Sequence, residues 1–243
     1  MEWIYLSPHF DDVALSCGGL VWEQVKSGER ISIWTICAAE PPSGPVSPFA
    51  RSLHARWGTD QGAVSTRREE DRLSSQRMGA ATRYFSIPDA IYRRSPIDGS
   101  FMYTSDLDLF ADLHPQDAEL VQNLRSEFSS ALPQDCELVC PLSLGGHVDH
   151  RLVRLAVEGL DRPLWYYADY PYAVQTADDQ DWIPVGMRPK IFLVSETGLL
   201  AWVEAVAAHA SQISTFWSDL EQMRSAIQTY WQQFEGVRLW RVD

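Results

Sequence analysis

Basic charge is scarce in this chain: 243 residues carry 20 Lys and Arg against 33 Asp and Glu, a formal net charge of −13 at pH 7. A protein that binds nucleic acid displaces counterions from phosphates with a basic face, so this balance excludes nucleic acid as the principal partner. Cysteine is scarce as well. Cys17, Cys37, Cys136 and Cys140 show no framework spacing and form no zinc knuckle, which reads as free thiols in a reducing compartment. No apolar run reaches the ~18 residues of a membrane span, and the opening residues lack the charged and apolar regions of a secretion signal. The expected location is the cytoplasm. No repeat, low-complexity tract or linker divides the sequence. A G-x-G-x-x-G fingerprint is missing too, and Gly18-Gly19 reads instead as a place of close helix packing.

What is present is an ordinary apolar share, 45%, enough for one domain over residues 1–243. Trp3-Ile4-Tyr5-Leu6 is a buried strand that stops at Ser7-Pro8, and Val13 to Lys26 has apolar residues at helical spacing, ending at Ser27-Gly28. Ile31 to Ala38 is a second strand. Helices over Val64 to Gly79 and Asp117 to Leu132 alternate with strands over Arg83 to Ile87 and Glu137 to Pro141. A helix after Asp149, a strand at Leu164 to Tyr167 and a loop through Met187 follow. The last third predicts a strand near Lys190 to Val194, helices over Thr197 to Gln212 and Phe216 to Phe234, and a β-like tail, Val237 to Val242. Strand and helix in alternation predict an α/β, Rossmann-like fold, a mostly parallel sheet flanked by helices on both faces. Glu40 to Gly62 and Pro88 to Pro115 read as long irregular loops.

Two clusters of metal-ligand chemistry follow strands. His9-Phe10-Asp11-Asp12 sits between the first strand and the first helix, and His147-Val148-Asp149-His150 sits after Glu137 to Pro141. In open α/β sheets ligands bind beyond the carboxyl ends of strands. The plain alternatives are that Asp11 or Asp12 caps the first helix and that the second cluster caps the next. Together, the clusters supply a His₂Asp set that leaves a zinc position open for water.

These residues resemble the PIG-L/LmbE-like zinc-dependent N-deacetylase family, whose signatures are His-Pro/Ala-Asp-Asp and His-Pro-Asp-His. The resemblance implies that His9, Asp12 and His150 bind Zn2+ and that Asp11 is the general base. It further implies that His147 supports the transition state, with Asp149 orienting that histidine. Thr66 to Glu70 resembles the family's Arg-x-x-Glu helix start, which maps onto Arg67 as a substrate contact with Glu70 one turn on. Asp169-Tyr170-Pro171-Tyr172 resembles an Asp-x-Pro-Tyr loop, so Asp169 and Tyr172 are expected to edge the substrate site. The activity implied is removal of an acetyl group from the nitrogen of a small, amino-sugar-containing, N-acetylated glycosidic substrate. The rival activities are hydrolysis of another amide or ester and zinc binding without turnover.

There are departures. Phe10, Val13 and Val148 replace the family's usual residues, and Gly145 stands where some members have a tyrosine that donates to the oxyanion. His54 reads as an exposed loop residue, and His114 and His209 as structural or surface residues. Trp217, Trp231 and Trp240 either form a face for homo-oligomer formation or pack within the chain.

Overall fold

Trp3 to Leu6 are apolar at successive positions because both sides of this strand meet helices: Trp3 and Tyr5 face one core layer, Ile4 and Leu6 the other. The computed structural model describes residues 1–59, 62–175 and 186–242. Its strands are β1 (Glu2–Ser7), β2 (Arg30–Thr35), β3 (Ala81–Tyr84), β4 (Glu137–Pro141), β5 (Leu164–Tyr167), β6 (Met187–Leu193) and β7 (Gly236–Val242). They form one sheet in the order β3-β2-β1-β4-β5-β7-β6. The first five pair in parallel, while β7 runs antiparallel to both β5 and β6.

The helices are α1 (Asp12–Lys26), α2 (Pro48–Trp57), α3 (Ala63–Met78), α4 (Asp106–Leu109), α5 (Ala118–Ala131), α6 (Val148–Glu158), α7 (Tyr172–Gln175), α8 (Glu196–Ala207), α9 (Ala210–Phe216) and α10 (Leu220–Gln232). On one face α1, α8 and α10 cover the sheet, with Leu20, Trp202, Met223 and Ile227 buried among them. The other face is covered by α5, through Val121, Leu124 and Phe128, and by α6. A third apolar cluster of Phe10, Leu53, Val64, Ile91 and Val148 lies over the strand ends. Gly18 and Gly19 let α8 close on α1. A Cβ on Gly18 would stand 2.7 Å from Cδ1 of Trp202, whose Nε1 donates to the Ala14 carbonyl at 2.8 Å. Truncating this indole to alanine costs about 3–5 kcal/mol.

Three expectations change, and one left open is decided. Residues 48–57 inside the supposed first loop are helical: Ser47 accepts from the Ala50 N–H, Pro48 takes the first turn, and Gly58 ends the helix at φ 65°. The second supposed loop contains α4 and a short 3₁₀ turn, Ala90–Tyr92. The helix expected over Thr197 to Gln212 breaks at His209, whose ψ of 57° interrupts the α conformation. Trp217 and Trp240 are 9% and 3% exposed, and half-buried Trp231 donates to the Val194 carbonyl, so these rings pack within the chain. Of the loop expected up to Met187, residues 176–185 lie outside the described residues. No described helix is long and apolar enough to cross a membrane.

Candidate metal and catalytic site

The strand order fixes where a cleft can form. From β1 the chain turns to α1 on one face, and from neighbouring β4 it turns to α6 on the other. The carboxyl ends of β1 and β4 therefore part at a topological switch point, where α/β sheets bind ligands. Both His/Asp clusters lie there. The ring centroids of His9 and His147 are 4.8 Å apart, and each is 5.4 Å from that of His150.

The first turn is tied by its own carboxylate: Asp12 accepts the His9 backbone N–H at 2.6 Å. Asp11 occupies the N-cap position of α1 yet makes no side-chain cap, leaving its carboxylate to meet Arg67 Nη2 at 3.2 Å. The carboxylate of Asp12 lies between two imidazoles, 3.3 Å from Nδ1 of His9 and 3.3 Å from Nε2 of His150. Behind each ring stands another carboxylate. His9 Nε2 bonds Asp149 at 2.9 Å, and His150 Nδ1 bonds Asp169 at 2.6 Å.

These contacts set protonation. Burial acts to lower the His150 pKa, but Asp12 and then Asp169 overcome it and push it up to about 10. Burial likewise opposes the proton of His9, whose pKa is nonetheless raised well above the ordinary value by Asp12 and Asp149. His147 goes the other way. Burial first, and then the neighbouring His9, hold it well below the ordinary value, so this ring is neutral. As N-cap of α6, its Nδ1 accepts the Asp149 backbone N–H at 3.2 Å, which leaves the proton on Nε2.

Asp149 therefore differs from expectation. Its backbone serves His147, whereas its carboxylate holds His9, the Ala90 N–H at 3.0 Å and the guanidinium of Arg93. The reason is helix geometry: with His147 as cap, the amide of Asp149 points at that ring and its side chain leans elsewhere. Asp169 is also corrected. At 2% exposure it lies beneath His150, also accepting from the Leu144 N–H at 2.8 Å, and does not edge the cleft. Tyr172 and Arg67 do line it. Glu70 points away and accepts from the backbone and hydroxyl of Ser211 at the start of α9. His54 is a buried residue of α2, 2.6 Å from the Tyr92 hydroxyl, and His114 caps a 3₁₀ turn. His209 is 1% exposed, and neither ring nitrogen has a partner among the described residues.

Two residues bonded into this cluster escaped the sequence reading. Asp89, in the turn beyond β3, lies in the cleft with one oxygen 3.7 Å from Arg67 Nη1 and 3.8 Å from His9 Nε2. Arg93, nearly fully buried, bridges Asp149 and Asp117, the latter at 3.1 Å. The available signal was position, since Asp89 follows a third parallel strand just as the two motifs follow theirs.

Among the described residues, metal-donor spacing occurs in two overlapping groups, His9 with His147 and His150, and His9 with Asp89 and Asp149. The cleft around them encloses about 270 Å³. Its walls combine charged groups with Trp57, Phe110, Tyr172 and Phe216, suited to a small polar ring with an apolar face.

Residues 4–160 match the family model PIG-L, GlcNAc-PI de-N-acetylase. The 2'-N-acetylparomamine deacetylase of Niallia circulans is 26% identical over 271 residues, covering 98% of this chain and 93% of that protein. The enzyme of the same name from Streptomyces fradiae is 31% identical over 185 residues, 71% of this chain and 58% of its own length. Among solved structures, the zinc-inhibited form of teicoplanin deacetylase Orf2 superposes with a TM-score of 0.84 at 25% identity, covering 99% of this chain and 97% of that one. The A40926 pseudoaglycone deacetylase Dbv21 does so at 0.73 and 25% identity, covering 98% and 96%.

Proposed function

Because this chain belongs to the PIG-L de-N-acetylase family, we propose that it is a zinc-dependent hydrolase that removes the acetyl group from the nitrogen of an amino-sugar-containing substrate. The observation that carries the reading is the carboxylate of Asp12 set between one ring nitrogen of His9 and one of His150, while Asp149 and Asp169 hold the opposite nitrogens. Carboxylate–histidine pairs of this kind fix the tautomer and aim of zinc ligands. His9, Asp12 and His150 would hold the ion. His147 fits the ligand role less well, because its Nδ1 is already occupied by a backbone N–H. When bound, zinc supplies Lewis acidity to the amide carbonyl and lowers the pKa of water toward ~7.

The remaining groups divide the work. Asp11, steadied by Arg67, is the base that takes a proton from the attacking water and passes it to the sugar nitrogen as the C–N bond breaks, so that the amine and acetate leave. The Nε2–H of neutral His147 donates to the oxygen that becomes negative as the carbonyl carbon turns tetrahedral. Arg67 and Asp89, side by side in the cleft, offer a donor and an acceptor to ring hydroxyls. Tyr172 bounds the substrate next to them.

The two curated relatives are named for 2'-N-acetylparomamine, and two structural relatives are deacetylases named for teicoplanin and the A40926 pseudoaglycone. These names support an acetylated glycosidic substrate for this chain too. One sheet carrying β1 through β7 supports reading residues 1–243 as a single catalytic domain. Four free cysteines support a reducing compartment, the cytoplasm. The test is metal analysis of the purified protein followed by acetate release from a panel of N-acetylated amino sugars and their glycosides. One zinc per chain with acetate release supports the proposal; a zinc-loaded protein inert on the whole panel sinks it.

A further inference from the structure

One carboxylate in the cleft has no task in the reaction. Asp106 opens α4 and lines the cavity, exposed, and its carboxylate makes no hydrogen bond or ion pair among the described residues. Its acidic neighbours are engaged. Asp108 accepts from the backbone and hydroxyl of Thr104 at 2.8 and 3.0 Å, and Asp112 pairs with Arg151 at 3.0 Å.

Phe110, four residues after Asp106, comes to the same side of this short helix and lines the same cavity. Its ring stands edge-on to His147 at 5.4 Å and to Tyr172 at 5.8 Å, while 39% of the residue remains exposed. Aromatic surface therefore runs outward from the reacting centre to a charged carboxylate. An ammonium group fits such a surface, because it pairs with the carboxylate and is attracted to the ring faces. The formal charge of −13 draws cations in the same direction.

We propose that Asp106 and Phe110 form a subsite for a cationic ring, an aminocyclitol or second amino sugar joined to the acetylated sugar, and so select the substrate. This rests on the N-deacetylase reading. Arg56, which reaches the cleft from α2, makes an anionic acceptor the competing outcome.

The experiment compares two disaccharide-like substrates with the same N-acetylglucosamine ring, one joined to an aminocyclitol and the other to a neutral cyclitol. For the zinc-loaded enzyme kcat/KM should favour the cationic substrate about tenfold, mainly through KM. Asp106→Asn should bring that ratio toward unity. Glu119→Gln removes the same charge from the exposed surface of α5, outside the cleft, and should keep the ratio. Equal turnover of both substrates by the parent enzyme, preference for the neutral one, or a ratio that survives Asp106→Asn overturns the subsite and leaves the deacetylase reading standing. Acetate release from neither substrate, nor from any N-acetylated sugar, overturns both.

Discussion

The ring of Tyr172 lies directly over Gly145: a Cβ added to Gly145 would meet Cγ of that ring at 3.0 Å. A tyrosine from the loop after β5 thus covers the position at which the family resemblance suggested a tyrosine from the loop after β4.

Gly145 has φ +79°, a region that costs other residues about 1–2 kcal/mol. Gly145→Ala is expected to lose at least that much stability and to push Tyr172 from the wall of the cleft, raising KM. Urea unfolding and steady-state kinetics on the same variant check both effects. Unchanged kinetics would show that this contact does not shape the site.

Adjacent carboxylates should behave differently. Asp12→Ala is expected to lose zinc, since its oxygens are the ones that face His9 and His150. Asp11→Asn is expected to keep zinc and to lose turnover by roughly 10²-fold or more. Metal content and acetate release, measured together, decide it. Equal metal loss in both variants would contradict the division of labour.

In the chelated protein, stability should depend on pH at both ends. His9 and His150 hold protons more tightly folded than unfolded, so their contribution is complete below the ordinary value of 6.5 and is lost as pH rises through their raised values, about 10 for His150. Burial opposes the charge of Asp12 and Asp149, but His150 and Arg93 respectively keep both carboxylates well below the ordinary 3.8, so their contribution is present above that value and fades in stronger acid. The melting temperature of the metal-free protein should therefore fall between pH 7 and 10, as differential scanning calorimetry would show. A flat profile would refute the assigned protonation.

His209 acts in the opposite sense. Burial pushes it down to about 4 from 6.5, so the fold favours the neutral ring and loses stability as pH falls from 6.5 toward 4. With neither nitrogen partnered among the described residues, His209→Leu removes an unsatisfied polar group and should cost little at pH 7 while flattening this acid loss. Chemical denaturation at pH 7 and pH 5 tests it.

Most of the fold was legible because β1 and β4 are short apolar runs, as strands buried on both faces should be, and α1 and α6 carry apolar residues at helical spacing. Residues 48–57 were not, since the buried side of α2 is Ala50, Leu53 and a histidine, too little apolar surface to show a helical period. The two motifs disclosed the carboxylates and imidazoles that face the cleft. What lay behind them was hidden: the pairing of Asp149 with His9 spans 140 residues, and that of Asp169 with His150 requires β5 to lie beside β4. Asp89 and Arg93 were hidden by a loop without periodicity, where only the position after a strand spoke for them.

The carboxylates that back the two imidazoles have a consequence for loading the ion. With His9 and His150 both inclined to hold a proton, a dication taking the nitrogens that face Asp12 would displace two protons and leave the formal charge of the cleft unchanged.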